Sequence, residues 1–447
     1  MFRRLAIAFV LTTVCLAQDK PQTDTVVRME QIVQSYVPTK QFMGSVLVAQ
    51  NGKILLDKGY GFANLEWQVP NTPTTKFRLG SITKQFTAAS ILLLEERGKL
   101  KVDDPVKKHM PDAPAAWDKI TIFHLLTHTS GIPSFTSFPD YESKEAQAMT
   151  PQQLVDWFKD KPLEFEPGSK WNYSNSGYVL LGYLIEKISG QSYADFVQQN
   201  IFTPLGMKDS GYDSNSALIA HRAAGYSRGK DGPQNAGFVN MSIPLSAGAL
   251  YSTTEDLLRW EEGLFGGKVL KPESLAKMTT PFKQDYAFGL GVSTKNGHKM
   301  IAHNGGIEGF NTSLIYFPDD KLVVAVLANL NGPFADQIAA QLGEVAHGEK
   351  VMLISERKEI TVSPKILAQY VGNYELAPTF SIAITLEGDQ LMAQATNQRK
   401  NPLFAESETM FFLKIVDAQV EFVKNNKGEV TALILHQSGR DTRGEKK

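Results

Sequence analysis

The stretch "LGSITKQFTAASILLLEERG", residues 79–98, decides the fold. From Ser81 through Leu94 its only charged residue is Lys84. A run from about Ile82 to Arg97, apolar on nearly every side and stopped by Gly98, predicts a helix buried at the centre of the molecule. Side chains at i and i+3 share a helix face, so Lys84 can reach the Ser81 hydroxyl. A serine needs a nearby base to become a nucleophile. Burial disfavours an ammonium and lowers a lysine pKa, which suits Lys84 to that task. The helix N-terminus adds backbone N–H groups fit for an oxyanion. Taken alone, the pair fits equally well a capping serine beside a lysine that snorkels to solvent.

Outward from this helix the chain reads as one mixed domain followed by a small β domain. Upstream, "GSVLVAQNGKILLDKGYG" (44–61) holds two β-rich runs joined by Asn51-Gly52, a hairpin signal. Downstream, residues 100–285 mix helical patterns, such as "PQQLVDWFKDK" (151–161) and "SGYVLLGYLIEKISG" (176–190), with Pro/Gly loops. Strands return at "KMIAH" (299–303), "TSLIYF" (312–317) and "LVVAVLAN" (322–329), before a helical "ADQIAAQLGEVAHG" (335–348). A hairpin before the helices and a meander after them predict one antiparallel sheet assembled from both ends of the domain, flanked by helices, with an all-helical lobe beside it. The class is α+β. After the charged linker "ERKEITVSP" (356–364) the texture changes to period-two alternation around "EGD" and "NNKGE" turns. The predicted organisation is 18–350 for the main domain, 351–364 for the linker and 365–447 for a small all-β domain. No repeat, low-complexity tract or heptad pattern interrupts it.

Residues 1–17, "MFRRLAIAFVLTTVCLA", have a positive start and a short apolar core, the pattern of a secretory signal peptide. The run is too short to span a bilayer. Its removal leaves 44 basic against 47 acidic residues and no cysteine, since Cys15 is the only one. That excludes a cysteine nucleophile, disulfides and thiolate zinc sites, and predicts a secreted or periplasmic protein with no membrane span. The near-neutral charge offers no basic field for nucleic acid.

Two further clusters carry possible chemistry. In "PGSKWNYSNSGYVLLGYL" (167–184), Tyr173, Ser174 and Asn175 precede a helix. A tyrosine near a cation can act as a general base, and Asn175 offers a donor and an acceptor. The same residues also fit a turn in which Ser174 or Ser176 caps the helix and Tyr173 packs. In "AHNGGIEGF" (302–310), Gly305 and Gly306 let another backbone approach a strand edge, and His303 can donate a hydrogen bond or switch charge near neutrality. A glycine turn with a polar edge histidine is the plainer alternative. His124 and His128 in "HLLTHTS" stand four apart, but no glutamate follows His124 as a zinc protease requires.

Taken together and in order, Ser81-Ile82-Thr83-Lys84, Tyr173-Ser174-Asn175 and His303-Asn304-Gly305 resemble the three motifs of the serine β-lactamase and penicillin-binding protein superfamily. The Y-x-N form resembles the class C β-lactamase branch, with its D-alanyl-D-alanine carboxypeptidase, D-aminopeptidase and esterase relatives. "ITIFHLLTHTSGIP", "AGALYSTTEDLLRW" and "YAFGLGV" are similar to that branch as well, and the similarity covers about residues 28–345.

The resemblance implies the same α+β fold with its active site between sheet and helical lobe. It implies Ser81 as the acylated nucleophile, with Lys84 and Tyr173 sharing the proton shuttle. Asn175 would hold the acyl amide or position Lys84, the N–H groups of Ser81 and Gly306 would form the oxyanion hole, and His303, Asn304 and Gly305 would line the substrate. It implies no cofactor and no metal, and a small-molecule or peptide substrate as the partner; the oligomeric state stays open. His303 stands where the family's β-lactamases and carboxypeptidases usually carry lysine, and Asn304 where they carry a hydroxyl residue. The expectation is therefore an exported peptidase or esterase on D-amino-acid peptides or related substrates. The alternatives are a β-lactamase or D-alanyl-D-alanine carboxypeptidase, or a non-catalytic binder or sensor with the same fold. The trailing β domain resembles the appendages often fused to such hydrolases and carries no Ser/His/acid cluster.

Overall fold

The computed structural model describes residues 20–230, 232–437 and 440–447. The expected leader, residues 1–17, lies outside them. Among the described residues no helix is long and apolar enough to cross a membrane.

The main sheet has six antiparallel strands in the order Gly291–Lys295, His298–Ile307, Phe310–Phe317, Leu322–Ala328, Gly44–Gln50, Lys53–Tyr60. The hairpin from the start of the chain therefore joins the meander from its end, through pairs such as Val46 with Val326. This is the expected assembly, with one strand more: Gly291–Lys295 extends the edge beside the third motif.

Period-two alternation divides the strand residues between two cores. Leu47, Leu314, Tyr316, Val323, Ala325 and Leu327 face the helical lobe. Val46, Val48, Ile315, Phe317, Val324 and Val326 face the other way. Leu322–Ala328 is buried along its whole length, which explains why it reads as an unbroken apolar run.

The outer face is covered by helices Phe334–Ala346 and Lys20–Tyr36; Met29, Ile32, Val33 and Tyr36 of the latter join the outer core. On the inner face Thr254–Phe265 and the central helix pack against the sheet side, and Trp260 Nε1 donates to Gln85 Oε1 at 2.8 Å. The central helix runs from Thr83 to Glu96 after a 3₁₀ turn at Gly80–Ile82. Every residue from Thr83 to Leu94 is buried, Lys84 included.

Beyond the linker, eight antiparallel strands between Gly372 and Lys446 close into a barrel, the last strand pairing with the first at Tyr374–Lys446. Closure leaves no free edge. Helix Pro364–Tyr370 contributes Leu367 and Tyr370 to the barrel core, with Tyr370 stacked 4.2 Å from Phe422. The barrel meets the main unit through Val416, which packs against the outer core, and through polar contacts. Gln341 Nε2 donates to Asp417 Oδ2 at 3.1 Å, and Arg399 Nη2 donates to the Lys230 carbonyl at 2.9 Å.

Leu327 is fully buried in the inner core. Truncation to alanine should cost about 2–5 kcal/mol. All five tryptophans precede residue 351. Urea unfolding followed by tryptophan fluorescence therefore reads the main unit alone, and Leu327→Ala is expected to lower its midpoint.

Candidate active site

Ser81 sits in the 3₁₀ turn that opens the central helix. The turn is held against the third-motif strand by close backbone packing. Gly80 has φ +55°, and a Cβ there would stand 2.9 Å from the Gly306 nitrogen. A Cβ on Gly305 would meet the Leu79 carbonyl oxygen at 1.9 Å. Thr312 Oγ1 donates to that same oxygen at 2.7 Å, and Leu79 N–H donates to the Leu250 carbonyl at 2.8 Å. Only glycine permits this contact, which sets the turn at Gly80 directly against Gly306.

Lys84 is fully buried, and its Nζ lies 2.9 Å from Ser81 Oγ, 2.9 Å from Asn175 Oδ1 and 2.8 Å from the Ala247 carbonyl oxygen. Burial drives its pKa well below the ordinary lysine value. Two partners are carbonyl oxygens that can only accept, so Nζ donates to both, and the neutral form that burial favours would turn its lone pair to the Ser81 hydroxyl. Asn175 is the first residue of helix Asn175–Ser189. Its Nδ2 donates to Thr136 Oγ1 at 3.2 Å, which turns Oδ1 towards Lys84.

Tyr173 directly precedes this helix, and Ser174 caps it by accepting from Gly177 N–H at 3.3 Å. The capping role and the approach of Tyr173 to Ser81 thus coexist. Burial raises the Tyr173 pKa above the ordinary tyrosine value, and the neighbouring Ser81 opposes that rise only in part. Lys84 Nζ stands 4.8 Å from the Tyr173 ring centroid. Burial favours the phenol over the phenolate.

His303 Nδ1 lies 2.6 Å from the Asn304 carbonyl oxygen and its Nε2 lies 3.0 Å from the Tyr286 hydroxyl. A carbonyl can only accept, so Nδ1 carries the proton and Nε2 accepts from Tyr286. Both nitrogens are used within the protein. Burial holds the His303 pKa at about 4, so it does not change charge near neutrality. Asn304 Nδ2 donates to Asp336 Oδ2 at 2.9 Å.

Sequence reasoning did not assign three contributors. Tyr286 orients His303. His128, buried with φ +55°, accepts the Ser174 N–H on Nδ1 at 3.1 Å and packs its ring 4.3 Å from Tyr173. The Ala247 carbonyl completes the Lys84 partners. Tyr286 and His128 lie in "YAFGLGV" and "HLLTHTS", so the segments carried the signal although the roles did not. His124 Nδ1 accepts the Thr121 N–H at 3.2 Å in a helix-capping arrangement.

Two cavities adjoin these residues. One of about 90 Å³ touches Ser81, Thr136, Asn175, Gly306 and Ile307. The other, about 920 Å³, opens beside Tyr173 and His303 and extends past Asn304 and Asp336 to Asp417 of the barrel.

The arrangement can run acyl transfer: a hydroxyl, an adjacent amine and a phenol meet at the start of the central helix. Comparison with known proteins agrees. Residues 30–347 match the family model described as beta-lactamase. The chain belongs to the β-lactamase family. Residues 356–446 match a domain of unknown function, DUF3471. Penicillin-binding protein 4* of Bacillus subtilis is 31% identical over 430 residues, 90% of this chain and 94% of that protein. The octameric penicillin-binding protein homologue from Pyrococcus abyssi has a TM-score of 0.66 at 28% identity, covering 94% of this chain and 100% of that one. The D-amino acid amidase from Ochrobactrum anthropi SV3 has a TM-score of 0.65 at 26% identity, covering 73% of this β-lactamase-family chain and 99% of the amidase.

Two expectations test this geometry. In Gly305→Ala the new Cβ must push the strand from the Leu79 turn, and a shift of about 1 Å at a reacting centre can cost ~10²-fold in rate. The rate of covalent labelling of Ser81 by a fluorophosphonate should fall by about that factor. His303 has a folded pKa of about 4 against an ordinary 6.5, so between those values the unfolded chain binds the extra proton. Its contribution to stability is present above pH 6.5 and is lost as pH falls to 4. The difference amounts to at most about 3 kcal/mol. His303→Asn should show a shallower fall in denaturation midpoint over that window than the wild type.

Proposed function

We propose that this protein is an exported serine hydrolase that forms an acyl-enzyme at Ser81 on an amide or ester bond, acting on D-amino-acid peptides, amides or related substrates. The 2.9 Å approach of the buried Lys84 Nζ to Ser81 Oγ carries the reading. In the proposed cycle, neutral Lys84 takes the Ser81 proton as Oγ attacks the substrate carbonyl. The N–H groups of Ser81 and Gly306 receive the oxyanion. Tyr173 gives its proton to the leaving group. Lys84, by then an ammonium, favours the transient phenolate and returns a proton to it. Water enters, Tyr173 takes its proton while passing its own to neutral Lys84, and Lys84 returns a proton to Ser81 Oγ as the acyl bond is hydrolysed.

Electrostatics support an uncharged or cationic group over a carboxylate at the third motif. His303 is neutral there, Asn304 leans on the Asp336 carboxylate, and Lys295, lining the same cavity, is paired with Glu344 at 2.7 Å. A substrate carboxylate finds no free cation among these groups. Similarity to a D-amino acid amidase supports the same choice. The similarity to penicillin-binding protein 4* favours a second reading, a D-alanyl-D-alanine carboxypeptidase or β-lactamase.

A fluorophosphonate probe should label the wild type and leave Ser81→Ala unlabelled. Equal labelling of the two, or none of either, sinks the enzyme reading and leaves a non-catalytic binder. Tyr173→Phe should lower turnover by about 10²–10⁴-fold. A panel of nitrocefin, D-alanyl peptides, D-amino-acid amides and p-nitrophenyl esters decides between the readings. Faster turnover of amides or esters is expected, and efficient nitrocefin or D-alanyl-D-alanine turnover transfers the assignment to the second.

A further inference from the structure

Three side chains with no part in the Ser81 chemistry meet at the far end of the third-motif strand. His298 opens that strand, five residues before His303, or about 16 Å away along an extended chain. Asp320 lies in the turn that follows strand Phe310–Phe317. His347 caps the C-terminus of helix Phe334–Ala346.

Their ligating atoms converge. Asp320 Oδ2 lies 2.9 Å from His347 Nε2 and 3.4 Å from His298 Nδ1, and the three ligand atoms all fall within 4.8 Å of one another. The two imidazoles stack at 3.7 Å with 14° between their planes, and Phe317 abuts His347 edge-on at 4.7 Å. Parallel rings cannot both aim a lone pair at one ion, so binding requires one imidazole to rotate out of this stack.

We propose that His298, Asp320 and His347 bind a divalent transition-metal ion, zinc foremost, as a clip joining strand, turn and helix. Two donors bonded at about 2.0–2.2 Å to one tetrahedral ion stand about 3.3 Å apart. The two distances to Asp320 bracket that separation. Imidazole nitrogen with one carboxylate oxygen is a ligand set that zinc accepts, and it suits calcium or magnesium poorly.

Local charge points the same way. Among the described residues, the ion-pair partners of Asp320 are these two imidazoles, with no lysine or arginine. The carbonyl end of a 13-residue helix, where His347 sits, carries partial negative charge and attracts a cation. His298 and Asp320 are each about a third exposed, which leaves an entry path and a coordination position for water.

The test uses the full chain without a histidine tag, stripped with a chelator and titrated with zinc chloride in a calorimeter. One equivalent is expected to bind, with a higher Tm for the loaded protein than for the stripped one. His298→Ala and Asp320→Asn should each weaken binding at least tenfold. His298 is partly exposed at a strand end, so its truncation leaves a folded protein even if Asp320→Asn does not. No saturable binding by the wild type, or unchanged affinity in His298→Ala, overturns the proposal. Equal affinity for magnesium also overturns it, because it would mark a surface carboxylate rather than this ligand set. The site is independent of the Ser81 reading, and fluorophosphonate labelling should be the same with and without zinc.

Discussion

The structure depends on one buried amine. Lys84 cannot leave the interior, because the helix that carries it is enclosed on every side from Thr83 to Leu94. An amine removed from water must find partners there or its burial is costly. It finds them on three segments far apart in sequence: the turn at Ser81, the helix start at Asn175 and the Ala247 carbonyl. Satisfying one nitrogen therefore assembles the site. The same desolvation that makes Lys84 demanding also lowers its pKa and makes it a base.

Neutrality then spreads outward. With Lys84 uncharged, Tyr173 has no reason to ionise, and burial keeps its proton on. His303, beside both, is held neutral by the same lack of water, and Tyr286 and the Asn304 carbonyl fix its tautomer. The resting site holds its groups as amine, alcohol, phenol and imidazole. Charge would arise only when a substrate carbonyl is attacked, where the N–H groups beside Gly80 and Gly306 can meet it. The glycines matter as much as the polar groups, because any Cβ at 80 or 305 would separate the turn from the strand.

The barrel stands in a looser relation to this centre. It closes on itself and has its own core, so it does not need the main unit to bury its edges. Its contacts with the main unit are Val416 against the outer core and a set of polar bonds, and they place Asp417 at the end of the larger cavity. An appendage that reads as separate in sequence thus shapes the space next to Tyr173 and His303.

Much of this was legible in the sequence where the physics is local. The central helix, the Ser81–Lys84 spacing, the hairpin at 44–61 and the alternating barrel strands each follow from periodicity and turn chemistry within a few residues. The edge strand at 291–295 did not announce itself, because its five residues are mostly polar and gain their place by pairing with the next strand. Barrel strands Asn401–Ala405 and Arg440–Lys446 are hidden for similar reasons, one carrying Pro402 and the other a row of charges. Sequence by itself determined which residues could do chemistry and that they would stand in motif order around a buried lysine. Only the tertiary structure decided their protonation. That depends on desolvation and on partners such as Tyr286, His128 and the Ala247 carbonyl, which reach the site through folding rather than through neighbouring positions in the chain.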